Sequence, residues 1–241
     1  MTPVIREPGS EHLALALDLD DLVQATRLAR RLRPFFSTVK VGLELFSASG
    51  PEAIETMREL GFEVFVDLKL HDIPTTVGKA ARVLGALGAD LLTVHAAGGV
   101  DMLRAAADGL AGGAEAAGLP APVCLAVTIL TSEVDVPAHL FAHRVALAVE
   151  AGCGGLVCAA AEVHDAKLLA PRMVAVVPGI RPAGVGVDDQ ARPATPAVAI
   201  AAGADLLVIG RAVTAAADPV VAAALVCTEV AAASPRSEAG R

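Results

Sequence analysis

Short apolar runs recur along the chain, and between them apolar residues return at helical spacing. The runs LALALD (13–18), TVKVGL (38–43), EVFVDLK (63–69), LLTVH (91–95), VCLAVT (123–128), GLVC (155–158), VAVVP (174–178) and DLLVIG (205–210) predict eight strands. In the intervals, Leu22, Ala25, Leu28, Ala29 and Leu32, or Ile54, Met57 and Leu60, fall on one face of a helix. Pro51 and Pro74 suit first helical turns, where a missing N–H costs nothing. Gly61, Gly88, Gly118, Gly152 and Gly203 stand where those helices should end, in positions that favour a left-handed cap.

Eight strands alternating with helices over 241 residues fit an α/β chain folded as a single (β/α)8 TIM barrel. The rival is a doubly wound open sheet with a nucleotide crevice. Its first strand-to-helix turn should carry a glycine fingerprint, and LDLDDL has none; no Walker A motif occurs elsewhere. The barrel is expected over residues 1–232, as the catalytic domain, with 233–241 a disordered tail.

Composition narrows the function classes. With 54% hydrophobic residues the chain can fill a large core, and its net charge of −8 argues against a polyanionic partner. The basic run RLARRLR (27–33) lies on a predicted helix, and the absence of Trp and Tyr leaves little to stack on bases. No nucleic-acid partner is therefore expected. Four cysteines without a CxxC pair read as small core residues in a reducing compartment. The N-terminus lacks a secretory apolar region, and no uncharged apolar run is long enough for a membrane span, so a cytoplasmic protein with no membrane partner is expected.

Charge placement then points to a site. The third strand runs into VFVDLKLHDIPTT (64–76), which sets Asp67, Lys69 and Asp72 just before Pro74. Strand alternation puts Phe65, Asp67 and Lys69 on one face. Lys40 sits in the preceding strand, although the chain has only four lysines against fifteen arginines. A buried ammonium needs a carboxylate, so Lys40, Asp67, Lys69 and Asp72 are expected to form a neutral network. Taken alone, this could be a structural salt-bridge cluster. A second group weighs against that: PGIRP (178–182) follows strand seven and IGRAV (209–213) follows strand eight, the loops that hold phosphate in this fold. Gly179 and Gly210, with Arg181 or Arg211, can offer backbone N–H groups and guanidinium donors to a dianion. There is no HExxH, no Cys/His metal spacing and no GxSxG nucleophile. His95 could line such a pocket but reads equally as a structural histidine, and neither His71 nor Glu44 is given a chemical role.

DLKLHDIPTT resembles the D-x-K-x-x-D-I-P-x-T signature of the orotidine 5′-phosphate decarboxylase family. The resemblance extends through ALALD, KVGLELF, VHAAGG, AVTILTS, VVPGIRP, DDQARPATP and VIGRAVT, almost the whole chain. It implies decarboxylation of orotidine 5′-phosphate (OMP) to UMP, the last step of de novo UMP synthesis, without metal, pyridoxal or thiamine. It implies Lys69 as proton donor to C6, Asp67 beside the substrate carboxylate, and Lys40 and Asp72 completing the charge network. Asp18 and Lys40 would contact the ribose, Thr131 the base, and Arg181, Gln190, Gly210 and Arg211 the phosphate. It also implies a homodimer in which Asp72 and Thr76 reach the neighbouring subunit's site. The chain departs from many bacterial members at Thr75, where they have Asn, and at Val177, where they have Thr; neither touches the charged residues. Two alternatives stand beside this reading. A metal-dependent phosphosugar decarboxylase or aldolase of the same superfamily would place a carboxylate where Lys40 stands, since an ammonium repels a divalent ion. A non-catalytic phosphoribosyl-binding protein would be expected to lack Lys69 or a carboxylate.

Overall fold

The computed structural model describes residues 5–130, 133, 136–182 and 194–234. All eight predicted strands are present: β1 (Leu13–Ala16), β2 (Thr38–Gly42), β3 (Glu63–Leu70), β4 (Leu91–His95), β5 (Val123–Val127), β6 (Gly155–Val157), β7 (Val174–Val177) and β8 (Leu206–Ile209). Each pairs in parallel with its sequence neighbour, and β8 returns to β1, closing the barrel. This is the (β/α)8 fold anticipated from the alternation of runs, and the open-sheet rival is excluded.

Alternation within the strands builds two cores. Leu13, Leu15, Val39, Val41, Val64 and Val66 face outward into the layer between barrel and helices. Ala14, Ala16, Phe65, Leu125, Val127, Val176 and Val208 face inward and fill the barrel. The outer layer is completed by α1 (Leu22–Leu32), α2 (Leu43–Ser49), α3 (Glu52–Glu59), α4 (Pro74–Leu87), α5 (Gly99–Ala116), α6 (Ala138–Glu150), α7 (Val163–Leu169), α8 (Pro196–Ala201), α9 (Arg211–Thr214) and α10 (Pro219–Ala233). Pro74 opens α4 and Gly88 closes it in the left-handed region, as the sequence predicts. Pro51 caps α3 from one position outside it. The last helix reaches Ala233, and residues 235–241 of the expected tail lie outside the described residues.

The tightest helix pair is α4 against α5, and glycine makes it possible. A Cβ on Gly85 would lie 2.2 Å from the carbonyl oxygen of Leu110, and one on Gly113 would lie 2.0 Å from that of Arg82. The helices that follow β3 and β4 are thereby locked to each other beneath the strand ends that carry the charged residues.

Candidate active site

Three strand ends supply the charges. Lys40 is inward-facing on β2, and its Nζ lies 3.0 Å from Asp18 Oδ1, just beyond β1, and 3.6 Å from Asp67 Oδ2 on β3. Lys69 Nζ donates to both oxygens of Asp67, at 2.8 and 2.9 Å. Asp18, Lys40, Asp67 and Lys69 thus alternate in sign and sum to zero, which is how a barrel mouth can hold buried charge. Gly42 leaves the room for it: a Cβ there would lie 2.8 Å from Lys40 Nζ and 3.2 Å from Asp18 Oδ1.

Asp67 is the hub. Burial alone would push its carboxyl up, but the charges of Lys40 and Lys69, and hydrogen bonds from Lys69 and Thr93, together hold it below the usual carboxylate range. It is an anion throughout the physiological range.

Simple alternation does not explain how Lys69 reaches it. The pairing of β3 with β4 runs Val66 to Leu92 and then Leu70 to Val94, so β3 holds two extra residues across the gap. Within that irregular stretch Lys69 has φ 48°, the one non-glycine residue with positive φ among the described residues. A long side chain in the left-handed region costs about 1–2 kcal/mol and persists where its surroundings fix it. The fixing group is Thr93 on β4, fully buried: its Oγ1 accepts the Lys69 N–H at 2.9 Å and donates to Asp67 Oδ1 at 2.9 Å. Sequence reasoning missed Thr93, because a threonine within a strand is ordinary.

Asp72 stands apart. It is exposed, it accepts the N–H of Ile73 at 2.6 Å, and it forms no ion pair within 4.0 Å among the described residues. The expected four-residue network is therefore three-quarters present within one chain, with Asp18 in the fourth place. Thr76 is likewise exposed, on the first turn of α4.

The charged cluster forms the floor of a cleft of about 540 Å³, on whose far side lie Pro178, Gly179, Arg181, Gly210 and Arg211. The predicted phosphate-side groups after β7 and β8 thus share one cavity with Asp18, Lys40 and Asp67. Arg181 is buried, with Nη1 donating to the carbonyl of Ile180 at 3.2 Å, whereas Arg211 is exposed at the start of α9. Glu44, given no role from sequence, also lines this cleft. A smaller lobe of about 110 Å³ opens from Lys40, Asp67 and Lys69 toward Val127, Ile129, Leu130 and Val157. A flat, partly apolar ring would find apolar walls there, beside the ammonium of Lys69. Thr131 and Gln190 lie outside the described residues.

The loop after β5 is tied down on its described side. Leu130 N–H donates to Glu133 Oε1 at 3.1 Å, and Arg144 Nη1 donates to the Thr128 carbonyl while lying 3.8 Å from Glu133 Oε2. His95, at the end of β4, is held neutral: burial first, then the charges of His71, Lys69 and Arg144, push its pKa down, against Glu133. The His71 and His95 rings lie 5.6 Å apart beside the site. All four cysteines are free and buried, away from any part in this arrangement except Cys158, which contributes to the smaller lobe. Among the described residues no helix is long and apolar enough to cross a membrane.

Known proteins share this arrangement of sequence. Residues 11–226 match the Orotidine 5′-phosphate decarboxylase / HUMPS family. A protein of Moorella thermoacetica named orotidine 5′-phosphate decarboxylase is 45% identical over 239 residues, covering 94% of this chain and 95% of its own. One of the same name from Anaeromyxobacter dehalogenans is 48% identical over 225 residues, covering 89% and 96%. The crystal structure of orotidine 5′-phosphate decarboxylase from Lactobacillus acidophilus superposes with a TM-score of 0.76 at 34% identity, covering 93% of this chain and 99% of that one. With the closed barrel, the alternating charges at its mouth and a match spanning most of its length, the chain belongs to the orotidine 5′-phosphate decarboxylase / HUMPS family.

Proposed function

We propose that Lys69 is the proton donor, and Asp67 the group facing the departing carboxylate, in the decarboxylation of OMP to UMP and carbon dioxide by which this chain serves pyrimidine biosynthesis. The observation that carries the assignment is the Lys69 ammonium held 2.8 and 2.9 Å from both oxygens of a largely buried carboxylate, with the Lys40 ammonium 3.6 Å from Asp67 Oδ2. The bond from C6 to the carboxyl carbon breaks and leaves its electron pair on C6, a carbanion with little resonance help. A fixed ammonium beside C6 is more strongly attracted to that carbon as the charge develops, which is differential binding of the transition state. The same ammonium then passes a proton to C6, and water restores it. Asp67 keeps Lys69 oriented, and its charge opposes the substrate carboxylate until carbon dioxide leaves.

The rest of the cleft binds. Asp18 and Lys40 hold the ribose hydroxyls, Gly210, Arg181 and Arg211 the phosphate, and the apolar lobe the pyrimidine ring, with Thr131 and Gln190 assigned to base and phosphate from sequence. The phosphate is remote from the broken bond, so its binding energy serves to order the site. Lys40 weighs against a metal-dependent reaction at this site: an ammonium 3.6 Å from the β3 carboxylate repels a divalent ion that would share it. The exposed Asp72 and Thr76 support a homodimer in which both residues complete the neighbouring subunit's network.

Ultraviolet absorbance of OMP, followed with purified protein and excess chelator, tests the reading. A chain without Trp or Tyr adds little background. Steady loss of absorbance with UMP formed, abolished in Lys69→Ala, is the expected result. Tight UMP binding without turnover would instead identify a phosphoribosyl-binding protein.

A further inference from the structure

We infer that Thr93 is a positioning residue for the reaction, setting both ends of the proton donor through one hydroxyl; the inference rests on the assignment of Lys69 and Asp67 above. The Thr93 side chain is fully buried on β4 and touches the two reacting partners on β3. Its oxygen accepts the backbone N–H of Lys69 at 2.9 Å, and its single proton goes to Asp67 Oδ1 at 2.9 Å. That oxygen accepts in turn from Lys69 Nζ at 2.8 Å. The hydrogen bonds close a ring: Lys69 backbone, Thr93, Asp67 and the Lys69 ammonium.

The ring explains why the catalytic lysine tolerates φ 48°. The two extra residues of β3 between its pairings with Leu92 and Val94 take the Lys69 N–H out of the regular ladder, where a strand carbonyl would have received it. Thr93 Oγ1 stands in for that carbonyl, and it differs from one in having a proton to pass on. The hydroxyl therefore couples the backbone conformation that aims Lys69 to the rotamer of the carboxylate that holds its ammonium. A valine in this place would fill the same volume but would leave the Lys69 N–H without an acceptor and free the Asp67 carboxylate to rotate.

Thr93→Val and Thr93→Ser separate the hydroxyl from the volume. In Thr93→Val we expect kcat to fall about 10- to 100-fold with KM for OMP within about threefold, the mark of a lost alignment and not of lost binding. Thr93→Ser, which keeps the hydroxyl, is expected to stay within about threefold of the parent in both. Backbone amide hydrogen exchange at Lys69, measured on the ligand-free protein, should accelerate at least about tenfold in Thr93→Val and stay slow in Thr93→Ser. A Thr93→Val enzyme with parental kcat, or a Thr93→Ser enzyme as slow as Thr93→Val, would overturn the inference. So would an unchanged Lys69 exchange rate. Because exchange is read without substrate, failure of the parent protein to decarboxylate OMP would sink the functional assignment and leave the hydrogen-bond test standing on its own result.

Discussion

Replacing Lys40 by methionine removes one charge from the site at nearly constant volume. The Lys40 ammonium lies 3.6 Å from Asp67 Oδ2, and the two side chains retain 11 and 12% exposure. At an effective dielectric near 20, unit charges at that 3.6 Å separation attract by about 4.6 kcal/mol. Methionine also removes the cost of burying an ammonium, which offsets on the order of half of that. That pair energy is present in the free enzyme too, so what reaches kcat/KM is the share by which Lys40 offsets the Asp67 charge against the incoming carboxylate; roughly 2–3 kcal/mol of it corresponds to about a 30- to 160-fold fall. The physical origin is repulsion: with OMP bound, two carboxylates would face each other with only Lys69 between them.

The assay is the absorbance loss of OMP, run from neutral pH downward. A second readout follows from the sign of the Asp67 shift. Burial pushes that carboxyl up, and Lys40 heads the influences that bring it back below the ordinary range. In the parent, Asp67 therefore stays ionised through the ordinary carboxylate range near pH 3.9, and its contribution is lost only as pH falls through its lower folded value. In Lys40→Met the loss of activity on the acid side must begin at higher pH. A variant with kcat/KM within about threefold of the parent, or an acid limb that does not move, would falsify the role given to Lys40.

Three further outcomes test other parts of the molecule. Arg211→Ala should raise KM for OMP about 10- to 100-fold, the value of one charge-assisted hydrogen bond to a dianion, with inhibition by inorganic phosphate weakened in step; an unchanged KM would remove Arg211 from the phosphate site. Gly85→Ala should lower unfolding free energy by about 2–3 kcal/mol in urea titration, because its methyl would meet the backbone of α5 at 2.2 Å and neither helix can yield locally; a neutral result would show the α4–α5 contact to be looser than described. Cys158 and Cys227, pushed up to about 12 mainly by burial, should resist iodoacetamide at pH 8 in the folded protein and react in denaturant, which peptide mapping reads directly; rapid native labelling of either would contradict their burial.

The strands were legible because each is a short apolar run bounded by turn residues, and burial on both faces is what a parallel barrel demands of them. The charged core of the site was legible for a related reason: lysines are scarce in this chain, and Lys40 and Lys69 fall where an apolar strand gives no other cause for an ammonium. The fate of Asp72 was not: among the described residues it forms no ion pair within 4.0 Å, and its carboxylate instead accepts the N–H of Ile73, a local turn contact that charge spacing does not announce.

Strand ends show where pattern reading loses its grip. The run LALALD predicts a strand to Asp18, but the β1 ladder ends at Ala16; Leu17 keeps one bond to the Lys40 carbonyl, at 3.1 Å, and Asp18 leaves the sheet to meet the Lys40 ammonium. TVKVGL likewise stops at Gly42, where the absent Cβ makes way for that same ammonium, and DLLVIG stops before Gly210, which turns into α9. At β3 the strand continues but its register slips, and Lys69 adopts a backbone conformation that no residue type announces. The causes differ: an ion pair draws Asp18 out, Gly42 gives room to the Lys40 ammonium, and at Lys69 the Thr93 hydroxyl takes the N–H in place of a strand carbonyl. Periodicity reports only residues whose environment is set by the sheet, so it breaks at Asp18, Gly42, Lys69 and Gly210, where side-chain ion pairs, a missing Cβ, a slipped register and a turn into α9 set the backbone instead.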